Sequence, residues 1–229
     1  MTHPLILALL IFCLALPGRV GAAVAGHSAP TQPVVIIKPV YQPPLRGAPD
    51  RRKGGGTRGG TVDLSVLAPR QSAWVSKEHP RLFWFLSAIP EQGKLSFAIH
   101  QADSSTALYE TSLPMPKKPG IHGFQLKTFK LKPGVEYLWS ITLETGLGDK
   151  AVYQVTQGGI LFKALPRQIV HRWNTRKQEQ LPAIQAHSGY WYDTLETLAK
   201  LIDQHPKDKF YRQWRKDLLH QVELDNIGD

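Results

Sequence analysis

Cysteine is almost absent from this chain of 229 residues. The single one, Cys13, lies inside an apolar run near the amino terminus. The chain beyond that run therefore has no thiol and no means of forming a disulfide, and it must fold on its apolar core alone. Catalytic signatures are equally scarce. The nine histidines show no HxH, HExxH or i,i+4 pair that would chelate a metal. No GxSxG elbow occurs. The glycine-rich stretch GGGTRGG lacks the GK[ST] ending of a phosphate loop and precedes no helical pattern. Neither a cofactor nor a metal is expected, and no residue is assigned as catalytic.

Long apolar stretches are missing too, except at the start. PLILALLIFCLALPG, Pro4 to Gly18, is continuous, ends at a helix-breaking Pro-Gly and falls short of the roughly 20 residues of a membrane span. The small residues Ala23 to Ala25 follow, where a signal peptidase would cut. The expected products are a signal peptide over 1–25, cleavage near Ala25, and a mature chain without a membrane span in the periplasm or outside the cell. MTH, which opens the chain, lacks the basic residues usual there.

What is abundant is positive charge, at +10, but it is unevenly placed. Arg19 leaves with the signal peptide. Residues 26–61 hold five net units through Lys38, Arg46, Arg51, Arg52, Lys53 and Arg58 against Asp50, leaving +4 for residues 62–229. That distribution, on an exported chain, argues against a nucleic-acid partner. Proline is dense in the first part of 26–61 and glycine in the second, so the segment reads as a disordered basic linker. One apolar island, VVIIKPVY, has the composition to pair as an edge strand or dock on a partner.

From Val62 short alternating runs succeed one another. Leu95, Phe97 and Ile99 share one parity, and Tyr137, Trp139, Ile141 and Leu143 another. About seven such runs over 62–165 predict a β-sandwich of fibronectin or immunoglobulin type. LKPGVEY, Leu131 to Tyr137, fits the corner where the chain passes between sheets and a tyrosine hydroxyl bonds back to the bend. Trp84 is the expected core tryptophan.

Over 166–229 the period becomes helical. Ile169 and Trp173 predict a helix that stops near Pro182. Trp191, Leu195, Leu198 and Ile202 form a second stripe, with Ser188 as its cap and Asp193, Glu196 and Lys200 on the surface. Phe210, Trp214, Leu218 and Val222 form a third, opened by Pro206. The whole is mainly β with α: a sandwich followed by a small helical unit packed on it.

Within HSGYWYDTL, His187 to Leu195, the aromatic residues read as helix core, headed by Trp191. The ligand-binding alternative rests on Tyr192, His187 and Asp193, together with Trp74, placed in the polar connection RQSAWVSKEHP. The expected role is non-catalytic binding of another envelope protein. Recognition of a wall polysaccharide through Trp74 or Tyr192 is the second reading, and a hydrolase using Asp193 or Glu196 the third.

VDLSVLAPR, RLFWFLS, ALYETSL, GIHGFQL, LKPGVEYLWSITL, GYWYDTLETLAKL and WRKDLLHQVEL occur in this order. Together they resemble a family of exported bacterial proteins known as a domain of unknown function, number nine-twenty-eight, over residues 62–224. LxPGxxYxW and GxWYDxL are the most specific parts. The resemblance implies that GYWYD is an architectural signature, in which Tyr190 replaces an expected aliphatic residue, and it implies no activity, cofactor or site residue.

Overall fold

A computed structural model describes residues 37–44, 48–54, 62–146 and 148–228. The signal-peptide reading of 1–25 and most of the expected linker lie outside the described residues. Eight strands are present among them: β1 (Leu64–Val66), β2 (Ala73–Val75), β3 (Arg81–Leu86), β4 (Gly93–Gln101), β5 (Tyr109–Leu113), β6 (Gly120–Gln125), β7 (Glu136–Thr145) and β8 (Val152–Phe162). Four helices follow: α1 (Arg167–Asn174), α2 (Leu181–His187), α3 (Trp191–Gln204) and α4 (Phe210–His220). None is long and apolar enough to cross a membrane.

The strands form two sheets, ordered β1-β3-β6 and β2-β8-β7-β4-β5. Alternation decides which side chains they enclose. Leu95, Phe97 and Ile99 of β4 stand opposite Leu143, Ile141 and Trp139 of β7, all buried. The sheets meet where the rings of Phe97 and Phe124 approach to 4.8 Å. Trp84 lies in this core as expected. At the corner, Gly134 takes the left-handed conformation at φ +74, and the Lys132 amide donates to the Tyr137 hydroxyl at 3.2 Å.

Several local expectations are corrected. Trp74 lies on a strand, β2, which runs parallel to the end of β8, and not in a connection. Three residues are too few for periodicity to show. Pro182 ends no helix but sits in the first turn of α2, where a missing amide costs nothing. Ser188 closes α2 instead of opening α3, whose N-cap is Tyr190. The last helix opens at Phe210, downstream of Pro206.

The largest difference concerns 26–61. Its described parts are laid against the domain. Tyr41 is buried, its ring edge-on to Trp191 at 4.9 Å. Its amide donates to Gln221 Oε1 at 2.8 Å, and the Gln42 amide to the Ala186 carbonyl at 3.1 Å. Arg51 makes a two-pronged bond to Glu136 at 3.0 and 2.9 Å, and Lys53 pairs with Gln157 of β8. Proline and glycine content disfavours regular structure, but it does not prevent an irregular strap from docking where partners are fixed.

Candidate functional site

The first turns of α3 join both sheets to the helical unit. α3 touches β2 in one sheet and β3 in the other, with α2 and α4 beside it. Trp191 is fully buried, and its indole donates to the Leu67 carbonyl at 2.8 Å. Tyr192, 1% exposed, reaches into the sandwich. Its hydroxyl accepts from Trp139 Nε1 at 3.0 Å and donates to the Gly159 carbonyl at 2.7 Å. Burial pushes this phenol well above its ordinary range. The ring offers no face to a sugar, contrary to the ligand-stacking expectation.

Asp193 and Glu196 were expected on the surface, but the elements packed on the first turns of α3 bury them. Asp193, 2% exposed, accepts from the Ser76 amide at 2.8 Å and from its hydroxyl. It thereby caps the turn after β2 from another element. Burial raises its carboxyl to about 6, against the opposing pull of the two Ser76 bonds. Glu196 lies between Lys77 at 2.6 Å and Lys200 at 2.7 Å. Burial pushes it up, yet the two ammonium groups prevail and hold it below the usual carboxylate range.

The Asp193 shift makes a pH prediction. Between the ordinary 3.8 and about 6 the folded state binds more protons at this site than the unfolded state. Stability from Asp193 is therefore full below pH 3.8 and lost as pH rises through 6, by up to about 3 kcal/mol. Glu196 acts in the opposite sense. Urea titrations of wild type and Asp193→Asn across this window should diverge, the wild type losing ground with rising pH. Parallel curves would disprove the buried carboxylate's part.

Trp74 is half-buried, with the Lys163 ammonium 3.7 Å from its ring centroid and the Tyr190 ring at 5.6 Å. Trp173 of α1 stands edge-on to Tyr190 at 5.4 Å. The expected aromatic is thus part of a seam between β2, α1 and α3, with Lys163 over one face.

His187 alone of the four expected residues is solvent-exposed. It lines a cleft of about 320 Å³ whose apolar walls are Ile37, Val40, Ala183 and Ile184. A second cleft, about 190 Å³, shares Ile37, Ala183 and Ile184 with it. Arg172 borders the first and Arg176 the second. The strap supplies one wall; farther along it Pro44 packs close to Gly189, which is at φ +83 and where a Cβ would stand 3.1 Å from the proline ring. The structure thus sends Trp74, Tyr192 and Asp193 into packing and leaves His187 on this face. Arg172, Arg176 and Ile184 were missed, because no periodicity links residues 37–40 to α2, whereas Ile37 and Val40 belong to the apolar island VVIIKPVY with the composition to pair or dock. The island's apolar character was the one available signal. Among the described residues, no three His, Cys, Asp or Glu side chains are grouped as a metal ion requires.

A comparison with curated proteins gave no match. Among solved structures, the chain is similar to a chitin-binding domain from Burkholderia pseudomallei, at 17% identity and a TM-score of 0.27. That likeness covers 42% of this chain and 61% of the other, less than two thirds of its length. The family model for a domain of unknown function, DUF928, matches residues 51–229, so that it takes in Arg51, Arg52 and Lys53 of the strap. The chain belongs to the DUF928 family.

Proposed function

We propose that this chain is an exported, non-catalytic binding module of the cell envelope whose partner is another protein. The supporting observation is the face formed by the strap and α2. Ile37 and Val40 are 61% and 56% exposed there, and they wall open apolar clefts beside two guanidinium groups. Exposed aliphatic residues gathered with arginine characterise protein-binding surfaces. The carboxylates that a hydrolase would use are committed elsewhere, Asp193 to Ser76 and Glu196 to Lys77 and Lys200. Export rests on the apolar run Pro4 to Gly18 and the small residues Ala23 to Ala25.

Affinity capture from an envelope extract, with the chain beginning at Gly26, tests this reading. One protein in stoichiometric amount, retained in the presence of soluble wall polysaccharide, is the expected result. Recovery of polysaccharide with no protein would replace it by glycan recognition.

A further inference from the structure

We infer that the two clefts astride Ile37 form one docking site for an acidic, aliphatic segment of the partner protein. This rests on the protein-binding reading and specifies the partner's chemistry. The clefts share the ridge of Ile37, Ala183 and Ile184, so a segment lying across them places one aliphatic side chain on each side of Ile37. Among the described residues, no aspartate or glutamate lines either cleft. Arg172 and Arg176 are exposed, and neither is ion-paired among the described residues. Lys38, the third cation at the face, is instead bound to Asp217 at 2.8 Å. Two unpaired guanidinium groups beside an apolar ridge match carboxylates that flank aliphatic residues, because the planar fork takes a carboxylate through two hydrogen bonds.

The form of the face separates this occupant from others. The clefts open to solvent, whereas a free small ligand needs most of its surface enclosed. The walls are also fixed in advance. Lys38 is tied to Asp217, Gln221 Nε2 donates to the Pro39 carbonyl at 3.2 Å, and the Tyr41 and Gln42 amides are bonded to α4's end and α2. Binding therefore spends little on ordering the site.

The test uses the chain from Gly26, its Arg172→Glu/Arg176→Glu variant and its Ile37→Ser variant. All three should melt alike, since the altered side chains are exposed. A fluorescent peptide of alternating glutamate and leucine should bind the wild type, weaken with added salt, and bind both variants at least about tenfold less tightly. It should also displace the partner captured from the envelope. Equal binding of a lysine-leucine peptide, or preference for phosphatidylglycerol vesicles over the acidic peptide, would overturn the assignment. A captured protein held equally by wild type and both variants would overturn the site while leaving the protein-binding reading intact. No captured protein and no peptide binding would remove both.

Discussion

Trp191→Ala should destabilise the domain by about 3–5 kcal/mol, one of the two largest effects expected of any single change here. The indole is fully buried, and three elements depend on it. It supports the strap through the Tyr41 ring at 4.9 Å, it holds the segment after β1 through the Leu67 carbonyl, and it heads the buried stripe of α3. Truncation leaves a cavity that these elements cannot all close, and it strands a buried carbonyl. For a domain of this size the loss lowers the melting temperature on the order of 10 °C. Trp191→Phe keeps a ring beside Tyr41 but not the bond to Leu67, so it should cost less, about 1–3 kcal/mol. Urea unfolding measures both through the midpoint at constant slope. An unchanged Trp191→Ala midpoint would show that this residue is not the core of the helical unit.

Tyr192→Ala should cost a similar amount, about 3–5 kcal/mol, and Tyr192→Phe separates the hydroxyl from the ring. The hydroxyl connects Trp139, in the middle of β7, to the Gly159 carbonyl of β8. With phenylalanine the ring still fills its place, but one buried donor and one buried acceptor lose their partner, at about 1–3 kcal/mol each. The Trp139 indole proton provides a direct readout by NMR, because its exchange should accelerate in Tyr192→Phe. Unaltered exchange and stability would mean that water replaces the hydroxyl without loss. A Tyr192→Ala protein that fails to fold says nothing of sugar binding, so a glycan site cannot be mapped by that change.

Two strands and one helix show why some features were legible. Leu95, Phe97 and Ile99, and the run from Tyr137 to Leu143, alternate because one face of each strand meets the core. Trp191, Leu195, Leu198 and Ile202 recur at helical spacing for the same reason. Asp193 and Glu196 occupy the other side of that helix, and there the reading failed. A helix is assigned a wet face because most helices have one. The first turns of α3 are covered on this side too, so Asp193 and Glu196 are buried and find Ser76 and Lys77, just beyond β2, and Lys200, a turn away along α3.

The sequence by itself determined what depends on nearby residues: the two-residue and helical periods, the Pro-Gly corner with Tyr137, and the order of motifs that marks the family. Tertiary structure alone decided what depends on distant ones. It turned a proline- and glycine-rich segment into a strap, bonded Tyr192 to β7 and β8, sent Asp193 to Ser76 across 117 positions and stood Ile37 beside Ile184. Side-chain periodicity records only whether a position faces apolar surroundings. Which residue forms those surroundings depends on how the chain returns in space, and that return leaves no repeat in the sequence.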